Sequence, residues 1–134
     1  MDFVPDFQIA HIGVNLPDEI CATQCAEQFA ELFDLKKNIE KESGDACFTG
    51  TQIEWMKKPG RGKHGHIALE TEDLPGAREY LEKRGFRFLN ETAKYLPDGR
   101  ILVLYAEQEI GGFAIHLMQK QKTGGNIEND TRME

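Results

Sequence analysis

Two similar segments, Ala10-His11-Ile12-Gly13-Val14-Asn15 and Gly65-His66-Ile67-Ala68-Leu69-Glu70, decide how this chain is organised. Each has the alternation and the bounding residues of a short strand, and each carries a histidine at its second position. When the two halves of the chain are aligned on these segments, His11 matches His66. The sequence therefore predicts a duplicated unit that begins with a histidine-bearing strand.

A second matched pair lies near the end of each half. Ile53-Glu54-Trp55-Met56 in the first half aligns with Ile115-His116-Leu117-Met118 in the second, so that Glu54 matches His116. Three imidazoles and one carboxylate at equivalent points form a donor set suited to a divalent transition metal. A lone strand histidine is more often a hydrogen-bonded core or surface residue. The metal hypothesis therefore rests on the two matches occurring together.

The elements between these segments follow one plan in both halves. Asp18 is a predicted N-cap for a helix over 19–33, whose apolar residues recur at helical spacing. Asp73 is the predicted cap of a second helix, which has Pro75 in its first turn and ends at Gly85. The remaining predicted strands lie near 36–42, 45–49, 51–57, 86–92, 101–106 and 113–119. Two such units predict an α+β domain of about eight strands.

Length and turn residues predict the domain organisation. A chain of 134 residues has the usual size of one domain. Pro59-Gly60-Arg61-Gly62 is the strongest internal breaker and is the predicted link between the halves. We therefore predict a single domain over 1–134, with module one at about 7–58, module two at about 64–120 and a polar tail at 121–134.

Composition excludes several function classes. The net charge of −7 argues against nucleic acid or an anionic membrane as the partner. No apolar run approaches the ~20 residues that span a bilayer, and no signal peptide is visible, so a cytoplasmic location is expected. The odd count of three cysteines suggests reduced thiols. Cys21 and Cys25 are interpreted as small apolar residues of a buried helix face, in preference to a metal clip or redox pair.

Several residues near the matched segments keep more than one interpretation. His64 shares a strand face with His66. It could therefore support His66 through a hydrogen bond, replace it as a ligand or carry protons. The more ordinary role is that of a rim residue at the end of its strand. Arg61, Lys63 and Arg100 stand in or beside predicted loops and could hold a carboxylate or phosphate of a substrate. A solvated charge is the more ordinary role for each.

The two-module layout and the four matched positions resemble the vicinal-oxygen-chelate superfamily, which includes glyoxalase I, methylmalonyl-CoA epimerase, fosfomycin- and bleomycin-resistance proteins and extradiol dioxygenases. The resemblance covers about 7–120. It implies two tandem βαβββ modules that form a curved, cleft-lined mixed sheet with two flanking helices. It also implies that the first and last strands of each module supply the metal ligands, which by position are His11, Glu54, His66 and His116.

Four protein ligands on an octahedral metal would leave two adjacent positions, which suits a small-molecule substrate with vicinal oxygens. The expected function is a metal-dependent glyoxalase-like lyase or isomerase that works through an enediolate on Zn, Ni, Co, Mn or Fe(II). Glu54 or His116 would act as the catalytic base. The last ligand of glyoxalase I is a glutamate where this chain has His116, so the glyoxalase reaction itself is not implied.

Two alternatives remain open at this stage. One is a non-catalytic protein that binds a small molecule, as the antibiotic-resistance members of the superfamily do. The other is an Fe(II) dioxygenase, which typically keeps only two histidines and one carboxylate on the metal. The resemblance further implies a homodimer, although the sequence does not decide whether a site forms within one chain or across two.

Overall fold

The structure is a computed structural model that describes residues 3–121. Its strands and helices are, in chain order, β1 (Gln8–Asn15), α1 (Glu19–Phe33), β2 (Ala46–Thr49), β3 (Ile53–Met56), β4 (Gly65–Thr71), α2 (Leu74–Glu82), β5 (Lys94–Tyr95), β6 (Ile101–Tyr105) and β7 (Phe113–Gln119). Within the described range, the seven strands form one sheet in the order β2-β3-β1-β4-β7-β6-β5. The sheet is mixed, because β1 pairs parallel with β3 whereas β2 pairs antiparallel with β3. The predicted α+β fold, a curved mixed sheet with two helices, is confirmed.

The chain divides into two compact units. The N-terminal unit contains Ala10–Ile67 and Gly111–Phe113, and the C-terminal unit contains Ala68–Ile110 with the described residues before Ala10 and after Phe113. These boundaries cut through strands, so they differ from the predicted modules at 7–58 and 64–120. The single domain and its modules stay a prediction. From residue 122 onward, the predicted polar tail lies outside the described residues.

In the N-terminal unit, helix α1 packs on one face of the strands through small residues. Asp18 caps the helix as predicted, because its Oδ1 accepts a hydrogen bond of 2.9 Å from the amide of Cys21. Ala22 and Ala26 are fully buried against Trp55 and Cys47, with Cys25 and Phe29 packed at the edge. Trp55 and Cys25 therefore belong to the core, in agreement with strand alternation and with the apolar interpretation of the cysteines.

In the C-terminal unit, the short helix α2 is fixed at both ends. Asp73 accepts a hydrogen bond of 3.1 Å from the amide of Gly76, and Pro75 lies in the first turn, both as predicted. Gly85 adopts φ 86° just after the helix, a conformation that favours glycine. Fully buried leucines form much of this unit's interior: Leu74, Leu102, Leu104 and Leu117. In the part of the chain that is described, no helix is both long and apolar enough to cross a bilayer.

Two predicted strands are wrong in the same way. The segments 36–42 and 86–92 each make one isolated bridge, Lys37 to Thr49 and Phe88 to Ala106, and then turn into short 3-10 helices. The turns close because the amide of Lys41 bonds to the carbonyl of Asn38, and the amide of Thr92 bonds to that of Leu89. The segment 86–92 alternates only at Phe86 and Phe88, and 36–42 has the single apolar residue Ile39, so local turn formation prevailed in both. The two-residue strand β5 was not predicted.

Candidate metal centre

Three of the four predicted ligands meet in the N-terminal unit. His66 Nε2 lies 2.9 Å from Glu54 Oε1 and 3.3 Å from His11 Nε2. His11 Nε2 lies 3.3 Å from the same Glu54 oxygen. Both histidines are buried, and the side chain of Glu54 is only 18% exposed. Two imidazoles and one carboxylate, supplied by β1, β3 and β4, therefore face one another at a common point.

The spacing of these donors fits a single coordination sphere. Ligand atoms bound at about 2.1 Å from one ion lie roughly 3.0–3.4 Å apart in octahedral or tetrahedral geometry. The two separations of 3.3 Å lie within this range, and the separation of 2.9 Å lies just below its lower end. Two nitrogens of histidine and one carboxylate oxygen also make a donor set that divalent transition metals bind well. The residues of the N-terminal unit thus fit a metal ion.

The charge of Glu54 is set by its two imidazole neighbours. Burial of the carboxyl group disfavours ionisation and would raise its pKa. Hydrogen bonds from His11 and His66, together with their charges, outweigh burial and lower the pKa of Glu54 to about 2. The carboxylate is therefore ionised throughout the neutral range, which is the form that binds a metal.

A glycine makes room for this arrangement. Gly13 lies opposite Glu54 in the parallel pairing of β1 with β3, two residues beyond His11 on the same strand face. A Cβ atom at Gly13 would overlap the ring of His66. At the same place, a Cβ on Gly65 would overlap the carbonyl of Gly13, and Gly65 has φ 145°. The sequence showed both glycines but gave no sign that His66 needs the space above Gly13.

Phe48 is a further residue of the site that the sequence analysis did not identify. It lies opposite Glu54 in the β2–β3 ladder and is buried. Its ring meets that of His11 edge to face, with centroids 5.8 Å apart. An aromatic ring at this position limits how the His11 imidazole can rotate. The only signal in the sequence was that the strand predicted at 45–49 contains an aromatic residue.

His116 lies on β7 and is 3% exposed. Within the C-terminal unit it stands opposite Tyr105 in the β6–β7 ladder, and the two ring centroids are 4.7 Å apart. Its Nδ1 lies 3.4 Å from the carbonyl oxygen of Leu117. Tyr105 thus packs directly on the predicted fourth ligand.

The sequence analysis also considered His64, Arg100 and the cysteines, and the structure gives the surroundings of each. His64 is exposed, and its ring lies 6.0 Å from that of Phe113. Arg100 pairs with Asp98 at 2.7 Å on the surface, which agrees with the ordinary role of a solvated charge. Cys21, Cys25 and Cys47 are free thiols.

Solved structures share this fold. The chain is similar to a methylmalonyl-CoA epimerase at 21% identity and a TM-score of 0.54, covering 85% of this chain and 95% of that one. A hypothetical protein from Bacillus halodurans C-125 matches at 14% identity and a TM-score of 0.60, over 90% of this chain and 99% of that one. A mutant of 4-hydroxymandelate synthase from Streptomyces coelicolor matches at 18% identity and a TM-score of 0.57, over 90% of this chain and 50% of that one.

These likenesses settle the fold class. The chain has the fold of the vicinal-oxygen-chelate superfamily, as its repeated strands and matched ligand positions predicted. The epimerase and the synthase are both members of that superfamily. No protein-family model and no curated protein sequence matches the chain.

Proposed function

We propose that the protein is a metal-dependent lyase or isomerase of the glyoxalase type, with His11, Glu54, His66 and His116 as ligands of one divalent ion. The observation that carries the proposal is the convergence of Glu54 with two histidines at 2.9 and 3.3 Å. His116 is included because it matches Glu54 in the repeat.

The proposed substrate is a small molecule with two neighbouring oxygens, such as a hydroxy ketone, and the proposed reaction passes through an enediolate. A divalent ion in this site would act as a Lewis acid that stabilises negative charge developing on a substrate oxygen. Phe48 and the buried positions of His11 and His66 keep water from one side of the donors. Zn, Ni, Co, Mn and Fe(II) all suit three nitrogens and one oxygen.

The proton transfer is assigned to His116 or Glu54, and the structure favours His116. A carboxylate with a pKa of about 2 is a weak acceptor for a proton from carbon near neutral pH. Imidazole is the side chain whose protonation changes most readily in that range. We propose that the imidazole of His116 is displaced from the metal during turnover and takes the proton, while Glu54 stays ionised between the two other histidines.

Metal analysis tests the centre directly. Protein purified without chelator should contain about one equivalent of a divalent metal, and His11→Ala and His116→Ala should each lose most of it, because an incomplete ligand set binds far more weakly. His64→Ala is the matched control and should keep the metal. A chelator should lower the melting temperature of the parent protein and leave His11→Ala unchanged. Full metal retention in both ligand variants would rule out the centre.

Turnover needs a separate measurement. Small hydroxy ketones and 2-hydroxy acids incubated in deuterium oxide should incorporate solvent deuterium at carbon, only with metal present and not with His116→Ala. Retention of the metal with no exchange across such substrates would instead favour a non-catalytic protein that binds a small molecule.

One observation favours a second candidate, an Fe(II) dioxygenase. Within the N-terminal unit, His11, His66 and Glu54 already form a set of two histidines and one carboxylate, the ligand set of many iron oxygenases. If His116→Ala kept its metal, three positions would be open for oxygen and substrate. Oxygen consumption with Fe(II) and a 2-oxo acid or catechol would then identify this function. The predicted homodimer and cytoplasmic location stay predictions, and sedimentation analysis would test the first.

A further inference from the structure

We propose that the segment from Lys58 to His64, here named the basic loop, binds an anionic group at the far end of the substrate, a phosphate or a carboxylate. The inference rests on the proposed function, since it concerns the substrate of the same site. It follows from the charge of the loop and from the way the loop is fixed to the ligand-bearing face of the sheet.

The charge around this loop runs against that of the whole chain. The protein carries 23 acidic and 16 basic residues, yet no Asp or Glu occurs between Glu54 and Glu70. Arg61 and Lys63 are exposed, and they are the cations that the proposal uses. Guanidinium and ammonium groups are the usual partners of phosphate and carboxylate.

Asn15 holds the basic loop on the face of the sheet that bears His11. Its Nδ2 donates to the carbonyl of Gly62 at 2.9 Å, and its Oδ1 accepts from the amide of Gly60 at 3.0 Å. Asn15 follows His11 by four residues on β1, so strand alternation places both on one face. A Cβ on Gly60 would touch Met56, which shares a face with Glu54 on β3. The loop therefore covers the end of the face that bears the metal donors.

The far end of the loop is tied to the strand that carries His66. The amide of Asn15 donates to the carbonyl of His64 at 3.0 Å, and the amide of His64 donates to the carbonyl of Gly112 at 2.8 Å. Residues two apart on a strand are roughly 6.6 Å apart, and residues four apart are about 13 Å apart. The loop thus begins about 7–13 Å from the donors, measured along β4 and β1.

This separation defines the kind of substrate. A carboxylate adjacent to the reacting carbon would lie at the metal itself and would not reach the loop. An anionic group several bonds further along the molecule would reach Arg61 and Lys63 while two vicinal oxygens face His11, Glu54 and His66. The inferred substrate is therefore an extended molecule with a terminal phosphate or carboxylate.

Anion binding can be measured without any turnover. Inorganic phosphate and acetate are titrated separately into metal-free protein and followed by amide chemical shifts. The parent protein should bind at least one of them saturably, with shifts at residues 58–64, and the one that binds tighter identifies the anionic group. Arg61→Ala/Lys63→Ala should weaken binding about tenfold or more, since hydrogen bonds between charged groups are strong. Arg87→Ala/Lys94→Ala removes the same charges elsewhere and should change affinity little.

Two further variants make the test specific. Asn15→Ala leaves every charge in place but frees the loop, so it should also weaken anion binding, which a purely long-range charge effect would not produce. His66→Ala should bind the anions normally. The inference is overturned by absence of saturable binding, by unchanged affinity in Arg61→Ala/Lys63→Ala, or by binding that depends on His66 alone.

The metal content of Arg61→Ala/Lys63→Ala separates the two proposals. It should equal that of the parent, because neither residue is a proposed ligand. Loss of anion binding with normal metal content supports the loop. If the parent protein binds no metal but its anion binding requires Arg61 and Lys63, the metal centre fails and the basic loop stands.

Discussion

Glu54 and His116 occupy equivalent positions in the two repeats, yet their surroundings differ. Glu54 lies on the four-residue strand β3 and faces two imidazoles. His116 lies in the middle of the seven-residue strand β7, buried against the ring of Tyr105. The repeat seen in the sequence places a ligand-type residue at each of the two positions. The neighbours of each position decided whether an ionised carboxylate or an imidazole is stabilised there.

The largest expected effect comes from removing the imidazole of His116, the second of the two compared positions. His116→Ala should reduce metal affinity more than about 100-fold, since partners that only support a ligand already change affinity 10–100-fold. His116→Glu restores a donor atom and makes the two repeats alike, so it should bind metal much more tightly than His116→Ala. Isothermal titration with zinc measures all three proteins. Equal affinity of the parent and His116→Ala would show that His116 is not a ligand.

A substitution at Gly13 tests the surroundings of Glu54, the first of the two compared positions. Gly13→Ala places a methyl group in the space of the His66 ring, so the imidazole or the strand must move. Overpacking of this kind costs about 1–3 kcal/mol of unfolding free energy, and metal affinity should fall as well. Gly44→Ala is the control, because a Cβ there meets nothing within 4 Å. Urea unfolding and zinc titration of both variants test the expectation, which fails if they behave alike.

The ionised state of Glu54 should appear as a pH dependence of the free energy of unfolding. Its pKa is lowered from 4.5 to about 2 in the folded metal-free protein, so it adds stability above the ordinary pKa of glutamate. That stability is lost as pH falls from roughly 4.5 to 2, and amounts to about 1–3 kcal/mol. Urea unfolding at pH 5 should show metal-free parent protein to be more stable than Glu54→Gln, and the gap should close near pH 2. A constant gap would contradict the assigned ion pairing.

The smallest effects should come from the helix caps, which are alike in the two repeats. Asp18→Ala and Asp73→Ala each remove one acceptor from a helix N-terminus. Each should lower the midpoint of thermal unfolding by a few degrees, and the corresponding asparagine variants should recover most of the loss. Neither should alter metal content. A cap variant that loses the metal would show that the helices position the centre more directly than the contacts indicate.

Sequence patterns predicted helices and strands correctly where capping residues and apolar spacing indicated the same structure. Helix α1 begins and ends as predicted, since Asp18 caps it and small residues recur on one face. The predicted strands at 36–42 and 86–92 are wrong, because the weak apolar pattern of each segment gave way to a turn that starts at Asn38 or at Leu89. Whether a segment of this kind pairs or turns depends on a neighbouring strand that alternation does not reveal.

The sequence alone determined the repeated segments, the fold class and the candidate donors, because ligand-type residues at matched places remain visible without coordinates. Tertiary structure alone decided that His11, Glu54 and His66 meet within 3.3 Å. It also decided that Gly13 makes room for an imidazole and that Asn15 holds the basic loop on the same face. These facts depend on register and close approach between strands distant along the chain, which periodicity within one segment does not encode.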